Sequence, residues 1–286
     1  MTATAVPVPT DLTPHPTLAP TAGSAASLWR ETMVFAGRNV RHIRQIPEKL
    51  LDVTMQPVMS TLLFAYVFGG AIAVEGNYRE YLIGGILIQS LAFGLMGPAT
   101  AIATDLTEGV LDRFRTLPVR RASYLLGHYV AELAGMALAI TVLLGAGLIV
   151  GWRTHTDIAH LATAALLLTL FASAMIWTGT LVGLLVRSPD AVMGIGFAVV
   201  FPLTFVSNAF VPVGSMPDVL QWVAVWNPVT SIVAAVRELF GNPVGSLSHT
   251  TWATDHPVAA AFAWCLALLA VTVPLALRRY RSRVAN

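Results

Sequence analysis

Long apolar stretches separated by short polar ones set the pattern of this chain. A helix needs about 20 mostly apolar residues to cross a bilayer. Six stretches reach that length: 51–73, 81–103, 125–150, 161–186, 191–211 and 257–277. Between the fifth and sixth lie two shorter apolar pieces, 219–226 and 229–239, joined by Asn227-Pro228. Read as one helix, they would be broken near the middle by the proline. The pattern therefore predicts two half-helices that enter the outer leaflet and return, which requires protein or a watery cavity around their backbone ends. Ahead of the first long stretch, Trp29, Met33, Ala36, Val40 and Ile43 fall within about 40° of one direction at helical spacing. Arg30, Arg38, Arg41 and Arg44 fill the adjoining sector. This predicts a helix lying in the cytoplasmic interface, cations toward phosphate and apolar face toward acyl chains. Pro47 ends it. A plain basic flank is the alternative.

Composition agrees with an all-α, polytopic membrane chain. Of the 286 residues 56% are hydrophobic and only 11% charged, where soluble domains carry about 25%; the mean hydropathy is +0.70. Six spans with a cytoplasmic N-terminus place all but three (Arg79, Arg153 and Arg237) of the 17 lysines and arginines inside. That is the bias expected of cytoplasmic loops. Both termini are then cytoplasmic. A seventh span through 219–239 would move the arginines at 278–283 outside and reverse the bias. Residues 1–27, rich in Thr, Pro and Ala with no Lys or Arg, lack the parts of a secretory signal and are expected to be a disordered cytoplasmic tail. One cysteine, Cys265, rules out an intrachain disulfide and a multi-cysteine zinc site.

Candidate chemistry is sparse. The single lysine, Lys49, lies in Ile46-Pro47-Glu48-Lys49-Leu50, which is no glycine loop, so these residues form no ATP-binding P-loop. Between the second and third stretches, Leu106, Val110, Phe114 and Leu117 gather on one face of a helical wheel, and Asp105, Glu108 and Asp112 on another. The segment 104–118 is too short and charged to span. It reads as a short amphipathic cytoplasmic helix stopped by Pro118, or equally as a solvated loop with a basic flank. His128 and Glu132 share one face near the start of the third span. An intramembrane carboxylate is a candidate proton relay or cavity contact, with a snorkelling interfacial pair as the alternative. His155, Asp157 and His160, and His249, Asp255 and His256, are loop residues without metal-site spacing, so no metal is expected. No GxSxG nucleophile motif occurs, and no catalytic residues are expected. Gly179 and Gly183 form a weak GxxxG signal for close helix approach.

The run Thr107-Glu108-Gly109-Val110-Leu111-Asp112-Arg113-Phe114-Arg115-Thr116-Leu117-Pro118 resembles the signature loop of ABC-2 type transporter permeases, especially the daunorubicin/doxorubicin-resistance branch. Met55-Gln56-Pro57-Val58 through Phe64-Ala65-Tyr66-Val67-Phe68-Gly69-Gly70 is similar to that branch's first span. Asn208-Ala209-Phe210-Val211-Pro212 with Met216-Pro217 and Asn227-Pro228-Val229-Thr230 is similar to its re-entrant region. The resemblance covers roughly residues 30–280. It implies an ABC-2 transmembrane domain over 28–286, with an interface helix, a coupling helix at 104–118 and six spans. It also implies a permease half that pairs with a second copy or paralogue and docks on a separate ATP-binding subunit, where ATP and Mg would be bound. Glu108, Gly109, Asp112, Arg113 and Pro118 occupy the motif positions that would touch that ATPase. The implied activity is export of an amphipathic drug, antibiotic or lipid through the cell membrane, with no cofactor on this chain and no nucleic-acid partner. An ion-coupled secondary transporter using Glu132 is the rival reading.

Overall fold

Backbone in lipid satisfies its own N–H and C=O groups by winding into helices, and the apolar runs of this chain do so. The computed structural model describes residue 55 and residues 58–68, 76–109, 121–245 and 249–285. It is 82% helical, with no strand among the described residues. In chain order the helices are α1 (Val58–Val67), α2 (Tyr78–Phe93), α3 (Met96–Thr107), α4 (Arg121–Val150) and α5 (Ile158–Leu185). They continue with α6 (Pro189–Phe205), α7 (Asp218–Val225), α8 (Pro228–Phe240), α9 (Trp252–Asp255) and α10 (Pro257–Ala285).

Among the described residues, four apolar helical stretches are long enough to cross a membrane: Tyr78–Thr107, which joins α2 and α3, Tyr124–Val150, Ile158–Leu185 and Pro257–Ser282. A fifth arises only if α7 and α8 are counted together, and they bend by 71° at their junction. The six stretches expected from the sequence are thus matched in part. The first is described from residue 55 and supplies the short helix α1. The fifth, expected over 191–211, is helical only to Phe205, where Val206 leaves helical geometry at φ −88 and ψ 53. Its 17 residues are about 26 Å long. The interfacial helix expected around Trp29, Arg38, Arg41 and Arg44, and the tail 1–27, lie outside the described residues.

Helix α5 forms the centre and packs against α3, α4, α8 and α10. Its two GxxxG glycines make this approach possible. A Cβ on Gly179 would lie 2.2 Å from the Leu95 carbonyl oxygen, and one on Gly183 would lie 2.5 Å from that of Ala99. The joint between α2 and α3 therefore rests directly on α5. Buried around α2 are Leu82, Ile83, Ile86, Leu87 and Leu91. Cys265, on α10, is fully buried in the same core.

Polar contacts close the end opposite the arginine-rich C-terminal segment. Arg79 donates to the Val150 carbonyl at 3.0 Å, and Trp152 Nε1 to Asn242 Oδ1 at 2.7 Å. The His155 N–H donates to the Phe240 carbonyl, and Thr156 Oγ1 to that of Leu239, each at 2.9 Å. Asp157 caps α5, and the His160 backbone N–H donated to it holds its carboxyl below the ordinary range. On the outside, α6 presents Ile195, Phe197, Val199, Phe201 and Leu203, and α7 presents Val219, Trp222, Val223 and Trp226. An apolar surface of this extent marks a membrane or protein contact.

Candidate functional site

The start of the signature run, residues 107–109, follows directly on the body of α3. The sequence predicts a separate helix beginning at 104, but residues 104–107 complete the last turn of α3. Leu106 is half-buried and packs against a buried cluster made of Ile102, Tyr124, Leu125, Leu184, Ala276 and Tyr280. It thus lies in the bundle, three residues before Gly109. Glu108 is exposed, its backbone N–H donating to the Thr104 carbonyl at 2.9 Å. Gly109 has φ +67 with open space around its Cβ position. Glycine enters this left-handed conformation without steric cost, so it ends the helix here. Val110, Asp112, Arg113, Phe114, Leu117 and Pro118 lie outside the described residues.

The two feet of the loop are tied together. The Tyr124 hydroxyl, at the start of α4, donates to the Asp105 carboxylate. The Tyr124 ring stacks on His128 at 6.5 Å and on Tyr280 of α10 at 6.1 Å. Through Tyr124, α3, α4 and α10 are thus joined at this point.

His128 is buried, with its ring stacked on Tyr124. Glu132, one turn further, faces α3: a Cβ on Gly97 would lie 3.3 Å from its Oε2. No cluster of three or more His, Cys, Asp or Glu suited to a metal occurs among the described residues. His155 Nε2 stands 3.1 Å from Glu80 Oε1, and His160 pairs with Asp157.

Asn227 and Pro228 organise the break between α7 and α8. Asn227 Oδ1 accepts from the Val229 N–H at 2.9 Å as the N-cap of α8, and Pro228 takes the first helical position, where no N–H is needed. Asn227 Nδ2 donates to the carbonyls of Leu203 and Val206, each at 2.7 Å. It thereby satisfies carbonyls that the end of α6 leaves open.

Two features are not read from the sequence pattern. The Asp105–Tyr124 pair bridges a separation of 19 residues, with the signature loop between the two partners. Arg237, which patterning treats only as an outer cation, is fully buried in α8. Its Nε donates to the Tyr81 carbonyl at 2.7 Å, and its terminal nitrogens to those of Asn208 and Ala209 at 2.8 Å each. Its guanidinium carbon lies 3.4 Å from the centroid of the Tyr81 ring. A lone arginine after the apolar run Ile232–Val236 is the one trace of this in the sequence.

Residues 30–240 match the ABC-2 type transporter family. The chain is 30% identical over 260 residues to the daunorubicin resistance ABC transporter permease protein of Streptomyces coeruleorubidus, covering 91% of this chain and 86% of that one. It is 23% identical over 217 residues to the doxorubicin resistance ABC transporter permease protein of Mycobacterium tuberculosis, covering 75% and 74% of the two chains.

Proposed function

Since this chain belongs to the ABC-2 type transporter family, we propose that it is the membrane-spanning permease of an ATP-driven exporter of amphipathic compounds. The observation that carries the reading is the family match, with relatives named for daunorubicin and doxorubicin resistance. Those two drugs combine a planar apolar body with a cationic sugar, so an anthracycline-like compound is the cargo class to test first. The helical bundle, with its four to five membrane-capable helices, suits a multi-pass membrane protein.

In this reading residues 28–286 form the membrane domain and 1–27 a cytoplasmic tail. A second copy or a paralogue completes the pathway. ATP and Mg bind on a separate ATP-binding subunit, which docks on the loop after α3. Glu108 and Gly109 stand at the end of α3, and Asp112, Arg113, Phe114 and Pro118 supply the docking contacts. Leu106 anchors the base of the loop. The Asp105–Tyr124 tie supports a role in coupling, because it links that loop to three helices at once.

Purified alone and reconstituted in liposomes, the chain is expected to hydrolyse no ATP and to move no daunorubicin. With its ATP-binding subunit, ATP-dependent daunorubicin movement should appear. Proton-gradient-driven export by this chain alone, abolished by Glu132→Gln, would overturn the reading in favour of a secondary carrier.

The topology we propose has six spans, with α1 belonging to the first and α6 to the fifth. Both termini are cytoplasmic, and α7 and α8 form a re-entrant pair in the outer leaflet. The 71° bend and the cap at Asn227 support two half-helices over one straight span. Reporter fusions after Arg281 should read cytoplasmic and fusions after Asn242 external. An external signal at Arg281 would overturn this map.

A further inference from the structure

Helix α8 grips one short piece of chain from both of its ends. Asn227, at its start, holds the carbonyls of Leu203 and Val206. Arg237, near its end, holds those of Asn208 and Ala209. A buried guanidinium ordinarily requires a carboxylate partner. Arg237 makes no ion pair among the described residues. Its counter-charge is a set of three carbonyl dipoles, those of Asn208 and Ala209 in the turn after α6 and that of Tyr81 in α2. The same site also gathers α2. Tyr81 Oη donates to the Asn208 carbonyl at 2.7 Å, and the Tyr81 carbonyl accepts from Arg237 Nε.

The fit around this turn leaves no slack. A Cβ on Gly84 would stand 2.9 Å from Arg237 Cγ, and one on Gly85 would stand 1.8 Å from the Ala209 carbonyl oxygen. Phe210 stacks on Phe64 of α1 at 4.6 Å. One group in the turn is nevertheless poorly served. The Asn208 side-chain amide is buried, and neither its Oδ1 nor its Nδ2 has a hydrogen-bond partner among the described residues. A buried amide left in this state is costly. The turn is thus clamped by its main chain while its own side chain disfavours the clamped position.

We propose that Arg237 and Tyr81 form a releasable latch, holding the turn 206–210 against α2 at the outer end of the bundle. Export requires the turn to leave α2, and on leaving, the Asn208 amide reaches water or cargo. This rests on the export reading above and assigns Arg237 a positioning role within it. The latch exists in the chain by itself, so it can be judged without an ATPase or a known cargo.

The test is hydrogen exchange on the full chain in lipid nanodiscs, comparing wild type with Arg237→Met, Arg237→Lys and Tyr81→Phe. Methionine approximates the stem of arginine without its donors. Lysine keeps the charge but lacks the planar fork that reaches three carbonyls. Tyr81→Phe removes one hydroxyl and leaves the ring, so it preserves the fold if Arg237→Met does not. Amides of 206–210 should exchange about tenfold faster in both Arg237 variants and about threefold faster in Tyr81→Phe, factors in keeping with the loss of one to several hydrogen bonds. Amides of α5 should keep their wild-type rates. Unchanged exchange at 206–210, or equal acceleration across all helices, would overturn the latch, the second result marking Arg237 as a general stabiliser. With the ATPase present, Arg237→Met, whose turn no longer has to be released, should export daunorubicin at least about fivefold faster than wild type, the change expected when one allosteric contact is removed. Equal or slower export by Arg237→Met would overturn the requirement for release. Failure of wild type to export would instead count against the export reading and leave the exchange result to decide the latch.

Discussion

Gly85→Ala will cost the fold about 3 kcal/mol or more, from the addition of a single methyl group. Overpacking a filled interior typically costs about 1–3 kcal/mol, and more where backbone must move. Here the obstruction is backbone: the new Cβ would stand 1.8 Å from the Ala209 carbonyl oxygen and 2.6 Å from its carbon. Pushing the turn away also lengthens the Arg237 and Tyr81 hydrogen bonds that converge on Asn208 and Ala209. Interhelical hydrogen bonds in membranes average only about 0.6 kcal/mol, so steric displacement dominates the loss. Gly145→Ala in α4 is the control, because a Cβ there meets nothing within 4 Å among the described residues. Alanine also favours a helix over glycine by up to about 1 kcal/mol. Thermal unfolding in detergent should show Gly85→Ala well below wild type and Gly145→Ala equal or slightly above. An unshifted Gly85→Ala transition would mean that the turn is not seated on α2.

Phe114→Asp is expected to abolish coupling while leaving the membrane bundle intact. On the proposed coupling segment, Phe114 shares an apolar face with Val110 and Leu117. Truncating an anchoring interface residue costs over about 1 kcal/mol at hot spots, and a buried unpaired charge costs more. Docking of the ATP-binding subunit should therefore weaken by at least about tenfold, since about 1.4 kcal/mol is one decade in affinity. The substitution leaves the spanning helices unaltered, so yield and monodispersity should match wild type. Glu108→Ala, at the exposed edge of the segment, should dock nearly normally yet export less per ATP hydrolysed. Co-purification with the ATPase and a transport assay measure both effects. Normal docking and export by Phe114→Asp would remove the coupling role from this segment.

Local chemistry is the part of this fold legible in the sequence. Asn227-Pro228 announces a break because proline has no N–H to donate and asparagine caps the helix after it, and the chain bends by 71° there. The paired glycines at 179 and 183 likewise mark a close approach, realised against the carbonyls of Leu95 and Ala99. Lengths are less legible. Polarity rises at Asp105, which suggests that the span has ended, yet the backbone stays helical to Thr107 because Asp105 finds Tyr124 and Leu106 finds an apolar pocket. Arg237 is invisible in the sequence as a structural residue. Its partners are main-chain carbonyls 28, 29 and 156 residues away, and a carbonyl has no letter in a sequence. The candidate polar pair divides in the same way. Proximity of His128 and Glu132 follows from helical spacing, but Glu132 faces Gly97 across an interface that spacing does not reveal.

The burial of Cys265 turns the natural chain into an experimental blank. Thiol reagents attack the water-exposed thiolate, and this sulfur sits at 0% exposure inside α10. Any cysteine introduced elsewhere would therefore be the only one to react. A maleimide or spin probe placed on the turn after α6, or at the foot of the signature loop, would report from one known position without deleting a native residue first.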